Sequence, residues 1–130
     1  MRKKVLVVED DPDQLALAVL RLTSAGYAVQ TADGVKALFR ALQESTPDAI
    51  FLDIGLPDGD GFDVLATLRR HPSYTLLPII MLTAKSEPED VARGLALGAD
   101  GYITKPYGRT TIDYALRYVM KQPAHDLSGD

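Results

Sequence analysis

Short unbroken apolar runs alternate along this chain with longer stretches in which apolar residues recur every third or fourth position. Val5-Leu6-Val7-Val8, Ala49-Ile50-Phe51-Leu52 and Ile79-Ile80-Met81-Leu82 have no polar face, which is the pattern of strands buried on both sides. Strands of that kind, separated by helical segments, fold as a parallel sheet covered by helices on both faces. A polar residue closes each run: Asp10 soon after the first, Asp53 after the second, Thr83 after the third, and Lys105 after Tyr102-Ile103-Thr104. In a parallel sheet the C-terminal strand ends share one edge, and ligands bind there. Two carboxylates, a hydroxyl and an ammonium on one edge suit a divalent cation and a phosphoryl group.

The segments between the runs support the same architecture. Pro12 suits a helix start, with Leu15, Ala18, Val19 and Leu22 on one face and Gly26 as its stop. Tyr27 to Thr31 is expected as a second strand. Asp33 is expected to cap the next helix, whose stripe is Val35, Leu38, Phe39 and Leu42, with Pro47 closing it. Leu56-Pro57-Asp58-Gly59-Asp60-Gly61 is dense in turn residues and leads into a helix that packs Phe62, Leu65 and Leu68. Ser86-Glu87-Pro88-Glu89 reads either as a capping box or as Glu87 capping a helix that begins at Pro88. Val91, Leu95 and Ala96 are expected to face inward until Gly98. The last helix opens at Thr110-Thr111-Ile112-Asp113, with Ile112, Ala115, Leu116 and Val119 on one side.

At 130 residues the chain is expected to be one domain, residues 1–121, followed by a polar tail or linker at 122–130. Cysteine is absent, which excludes disulfides and thiolate metal sites. A net charge of −4 argues against nucleic acid as a direct ligand. The apolar run after Met1-Arg2-Lys3-Lys4 is too short for a signal peptide, and no stretch reaches membrane-spanning length, so the expected location is cytoplasmic. No segment after Met120 reads as DNA-binding. A stand-alone adaptor and a module of a larger signalling protein both fit the sequence.

Glu9, Asp10 and Asp11 are consecutive acids at a strand end. Asp11, beside Pro12, is read as a helix cap. If the first and third strands are neighbours, Asp10 and Asp53 approach closely; a cation between them removes their repulsion. An oxygen-lined site suits Mg²⁺ better than zinc, which prefers nitrogen and sulfur. Asp53 is the candidate nucleophile, because a carboxylate can accept a phosphoryl group as an acyl phosphate. Lys105 and Mg²⁺ would neutralise the transferring oxygens, while Thr83 and the N–H of Ala84 could donate to them. Taken singly, Thr83 reads as a structural strand-end residue and Lys105 as a surface ion-pair partner. His71 reads as a helix C-cap, and His125 falls in the tail.

As an ordered set, five pieces resemble the receiver domain of two-component response regulators. They are Val7-Val8-Glu9-Asp10-Asp11, the run from Leu52 to Gly61, Met81-Leu82-Thr83-Ala84, Gly98-Ala99-Asp100-Gly101-Tyr102 and Thr104-Lys105-Pro106. The resemblance spans about Arg2 to Met120. It implies a flavodoxin-like (βα)5 three-layer sandwich with a five-stranded parallel sheet of order 2-1-3-4-5. It makes Asp53 the phosphoacceptor, with Asp10 binding Mg²⁺ directly, Glu9 acting largely through water, and the Gly55 carbonyl as a further ligand. Thr83 and Lys105 would contact the phosphoryl group, and the Lys105–Pro106 bond would be cis. Tyr102 matches the switch aromatic that follows Thr83 when the site is phosphorylated; its structural reading is a half-buried strand tyrosine. The implied partners are a histidine kinase or phosphotransfer protein and an effector, for a monomer or weak homodimer pairing through the face around Tyr102. Catalysis would be limited to the domain's own phosphorylation and dephosphorylation.

Three positions depart from the family pattern. Gly55 places no side chain over the pocket, Lys85 stands two residues past Thr83, and Tyr107-Gly108-Arg109 replaces the commoner Phe and acidic helix start. The open position at Gly55 is expected to admit water to the acyl phosphate. Two other functions compete: a pseudo-receiver that only binds partners, and a haloacid-dehalogenase-like phosphatase. The latter carries a second acid two residues after its nucleophile, where this chain has Gly55. A dinucleotide site lacks its Gly-x-Gly-x-x-Gly after the first strand.

Overall fold

A computed structural model describes residues 2–108 and 110–120. The expected tail at 122–130, His125 and Arg109 lie outside the described residues. Five parallel strands form one sheet: β1 (Lys4–Val8), β2 (Ala28–Ala32), β3 (Ala49–Leu52), β6 (Ile79–Thr83) and β7 (Gly101–Thr104). Two further strands, β4 (Gly55–Leu56) and β5 (Gly59–Asp60), pair with each other as a small antiparallel hairpin. The sheet order is β2-β1-β3-β6-β7, which without the hairpin is 2-1-3-4-5.

Alternation along each strand divides the core in two. Val5 and Val7 pack with Phe51, Ile80, Leu22 and Leu116 beneath α1 (Pro12–Ser24) and α5 (Thr111–Met120). Leu6 and Val8 pack with Ile50, Leu52, Leu38, Leu65 and Leu68 beneath α2 (Val35–Glu44) and α3 (Gly61–Arg70). The short apolar runs therefore feed both layers at once, and each fully buried Leu, Ile or Phe contributes about 1.5–3 kcal/mol. α4 (Pro88–Ala96) lies against α3 and β7 on the second side.

The helix ends follow local chemistry, with one correction, at the start of α2. Asp11 caps α1, accepting from the N–H groups of Asp13 and Gln14 at 2.9 and 3.3 Å, and Gly26 beyond its end takes φ +100°. Glu87 is the N-cap residue of α4 and Pro88 its first helical residue, so the Ser86 capping box does not form. Asp33 does not cap α2; Gly34 holds that position, and the Asp58 carboxylate reaches across from the hairpin tip. In α4 the inward face is also not the expected one. Leu95 is 50% exposed and Ala96 is exposed, while Gly94 is buried against the rings of Tyr102 and Phe62. Of the three residues expected inward only Val91 is half-buried, so the helix is rotated from the face its aliphatic stripe predicted, because a buried glycine leaves no apolar signal. His71 is the C-cap residue of α3, and its Nδ1 accepts from the Ser73 N–H at 3.1 Å. No helix of the described residues is long and apolar enough to cross a membrane.

Candidate functional site

β1 and β3 are adjacent, and Val8 stands in register with Leu52. The next residue on each strand therefore emerges at the same edge, and the Asp53 N–H donates to the Val8 carbonyl at 3.1 Å. This is the point where the chain order reverses, with β2 on one side of β1 and β3 on the other, which opens a crevice at the strand ends. An open cleft of about 530 Å³ lies there, lined by Glu9, Asp10, Asp11, Gln14, Asp53, Ala84, Lys105 and Pro106. Sequence reasoning placed no weight on Gln14.

Three carboxylates meet in this cleft. Glu9, Asp10 and Asp53 each offer one oxygen, and the three oxygens lie within 4.8 Å of one another. Glu9 and Asp53 are 4% and 8% exposed, and Asp10 faces solvent. Lys105, delivered by the end of β7, reaches between the buried pair. Its Nζ donates to a Glu9 carboxylate oxygen and lies 3.3 Å from Oδ2 of Asp53. The Lys105 N–H donates to the Thr83 carbonyl at 2.9 Å, which ties β7 to β6 just where both reach the cleft, and the Lys105–Pro106 peptide is cis.

Burial pushes the Glu9 carboxyl above its ordinary range, and the charge of Asp53 adds to this; the hydrogen bonds from Lys105 and the Asp11 N–H act against it. Burial alone would lower the Lys105 ammonium. The Glu9 hydrogen bond and the Asp53 charge outweigh it and hold that group above the usual lysine value. The direct pairing of Glu9 with Lys105 was not read from the sequence, because nothing in local pattern links positions 9 and 105. An all-oxygen donor set of this size suits Mg²⁺, a hard cation that keeps several waters, and does not suit zinc.

The other expected residues stand around this group. The Gly55 N–H points to Oδ1 of Asp53 at 3.4 Å, and a Cβ at Gly55 would meet nothing within 4 Å. Thr83 is 1% exposed at the end of β6; its Oγ1 accepts from the Lys85 N–H at 3.3 Å. Tyr102 on β7 donates its hydroxyl hydrogen to the Lys85 carbonyl at 2.7 Å. Thr83 and Tyr102 thus hold the same residue of the β6–α4 loop, one at its N–H and one at its carbonyl. Neither side chain bonds the acid cluster among the described residues.

Gly61 also belongs to the site, although the sequence showed it only as a turn glycine. A Cβ there would lie 2.3 Å from the Asp53 carbonyl oxygen and 2.7 Å from Cα of Ile54. The first turn of α3 is pressed onto the backbone that carries Asp53, and Asp60 caps that helix by accepting from the Phe62 N–H at 2.7 Å.

Known proteins share this architecture. The family model described as the response regulator receiver domain matches residues 5–117. The alkaline phosphatase synthesis transcriptional regulatory protein PhoP of Bacillus subtilis is 39% identical over 136 aligned residues, covering 100% of this chain and 55% of that protein. The transcriptional regulatory protein KdpE of Mycobacterium tuberculosis is 39% identical over 118 residues, covering 91% of this chain and 51% of that protein. The chain therefore spans about half the length of the curated relatives it matches. The structure of the chemotaxis response regulator CheY4 of Vibrio cholerae superposes with a TM-score of 0.85 at 32% identity, covering 92% of this chain and 99% of that one. With this sheet order, this acid cluster at its switch point and a family match over nearly the whole fold, the chain belongs to the response regulator receiver domains of two-component systems.

Proposed function

We propose that Asp53 accepts a phosphoryl group from a phosphohistidine, presented by a histidine kinase or a phosphotransfer protein, and that the modified domain then selects an effector. One observation carries this reading. Asp53 closes a central strand, buried, with a cationic Nζ 3.3 Å from one oxygen and two further carboxylates gathered beside it on an open cleft. A carboxylate oxygen attacks phosphorus, the nitrogen–phosphorus bond breaks, and the imidazole, which carries a proton on its other ring nitrogen, leaves as the neutral base while an acyl phosphate forms. Lys105 can balance the charge on the transferring oxygens, since its ammonium is already held at Asp53. Receiver domains generally bind Mg²⁺ at an acidic pocket, and Asp10, Asp53, the Gly55 carbonyl and Glu9 (directly or through water) would hold it here, where it would neutralise phosphoryl charge. Thr83 would donate to a phosphoryl oxygen after leaving Lys85, and Tyr102 would then turn inward; their shared hold on Lys85 supports that coupling.

The domain proper is proposed to run over residues 1–121, with 122–130 as tail or linker. The last buried residue of α5, Val119, supports this boundary. The chain acts as a signalling module whose only chemistry is on itself. Incubation with acetyl phosphate and Mg²⁺, followed by intact mass and peptide mapping, tests the proposal. One alkali-labile phosphoryl adduct is expected on Asp53, lost in Asp53→Asn and on chelation of Mg²⁺. A wild-type protein that forms neither this adduct nor a beryllofluoride complex refutes it and leaves a binding-only receiver. Turnover of phosphate monoesters refutes it in favour of a phosphatase.

A further inference from the structure

The hairpin that follows Asp53 is anchored at its far end. Its strands Gly55–Leu56 and Gly59–Asp60 leave Pro57 and Asp58 at the tip, where an exposed carboxylate would ordinarily serve solubility. Here both Asp58 oxygens are engaged by α2: Oδ1 accepts from the Val35 N–H at 2.7 Å and Oδ2 from the Lys36 N–H at 3.1 Å. α2 has no side-chain cap of its own at Gly34. The fit is close on both sides of this junction. A Cβ at Gly34 would stand 2.6 Å from Oδ1 of Asp58, and a Cβ at Gly59 would stand 2.7 Å from Cγ2 of Val35. The N–H bonds from Val35 and Lys36 also hold the Asp58 carboxyl below its usual range.

At its other end the same hairpin begins with Gly55, whose N–H points to Asp53. A two-residue ladder is too short to be rigid by itself. We propose that Asp58 is a positioning residue for the phosphorylation site: by clamping the hairpin tip to the N-terminus of α2, it fixes the main chain at Gly55 for metal binding beside Asp53. The proposal rests on the reading of Asp53, Asp10 and Gly55 as a Mg²⁺ site. Groups one step removed from a metal ligand commonly change affinity by about tenfold or more when lost, and Asp58 acts on one ligand of several by holding the far end of the segment that begins at Gly55. A cap that served only α2 would leave Mg²⁺ affinity untouched.

The test is a Mg²⁺ titration of the whole chain, followed by the amide resonances of Asp53 and Gly55. The variants are Asp58→Ala, Asp58→Asn and, as a control that weakens α2 away from the hairpin, Arg40→Gly. The expected order of Mg²⁺ dissociation constants is wild type, then Asp58→Asn, then Asp58→Ala at about tenfold weaker, with Arg40→Gly equal to wild type. Should Asp58→Ala fail to fold, Asp58→Asn decides, because it keeps one acceptor oxygen and must still bind more weakly than wild type. Wild-type affinity in the folded Asp58 variants overturns the proposal while leaving the metal site intact, and so does an equal loss in Arg40→Gly. Failure of the wild-type protein to give a saturable response at Asp53 and Gly55 overturns the metal reading and this proposal together.

Discussion

Replacing Gly61 by alanine sets two physical effects against each other, and the structure says which one wins. Alanine is the better helix former, by about 1 kcal/mol in a helix interior and by less in a first turn. Gly61 opens α3, so on local grounds Gly61→Ala should be neutral or stabilising. The added methyl, however, would lie 2.3 Å from the Asp53 carbonyl oxygen and 2.7 Å from Cα of Ile54. These are backbone atoms at the end of a central strand, where the Asp53 N–H is already bonded to Val8. Reaching a 3.0 Å contact needs about 0.7 Å of movement by main chain that is also held by the Gly61 N–H, which donates to the Ile54 carbonyl at 2.8 Å. Overpacking of this kind costs about 1–3 kcal/mol, and the upper part of that range applies where backbone must yield. The expected net destabilisation is about 2 kcal/mol, or roughly 6–10 °C in Tm for a domain of this size. Thermal denaturation by circular dichroism measures the first effect. Because the displaced residue is Asp53 itself, beryllofluoride binding by the folded variant at low temperature should weaken more than tenfold. A Tm at or above that of the wild type, with normal adduct formation, would refute the steric reasoning.

Four other outcomes are expected. Arg69 donates to the carbonyls of Gly98, Tyr74 and Leu77 and to Asp100, all at the edge of the sheet opposite the cleft. Arg69→Ala should therefore lose about 2–4 kcal/mol in urea denaturation while the folded protein phosphorylates at its normal rate in the cold. Lys105→Ala removes a cation that shares Glu9 and Asp53 with any divalent ion; phosphorylation should fall sharply while Mg²⁺ binds several-fold tighter by calorimetry, and weaker Mg²⁺ binding would contradict the electrostatics. The Asp58 carboxyl is held below the ordinary value of 3.8 by its bonds to Val35 and Lys36, so its contribution to stability is present above that pH and lost as pH falls through the depressed value. The Tm gap between wild type and Asp58→Ala should accordingly be constant from pH 5 to 7 and close in more acidic solution. At Gly55 a side chain meets open space, so Gly55→Met should fold normally and slow hydrolysis of the acyl phosphate by shielding it from water.

The fold was legible because its three central strands are apolar on both faces, in runs of four residues that are too short for a buried helix. Val5 to Val8 and Ala49 to Leu52 are all buried, and the polar residues closing these runs fall at one edge as a parallel sheet requires. Elements decided by local contacts, such as the Asp11 cap and the Gly26 stop, also read correctly. Where a distant group supplied the contact, local reading failed. The capping bonds expected from Asp33 come instead from Asp58, about two dozen residues away. The rotation of α4 was misjudged because the Tyr102 ring selects a glycine to sit against, and burial of Gly94 has no counterpart in hydrophobic pattern.

Residue chemistry alone assigned this protein its class of site: acids, a hydroxyl and a lysine, each placed by the period of the chain at the mouth of a buried strand. Strand order, and with it the meeting of Glu9, Asp10 and Asp53 within 4.8 Å, came from which strands pair, a choice made by long-range packing. The Glu9–Lys105 bond, the clamp from Asp58 to α2 and the pressure of Gly61 on Asp53 likewise exist only once the chain closes on itself. Local propensity acts over a few residues, whereas these contacts join positions brought together by burial of the two cores.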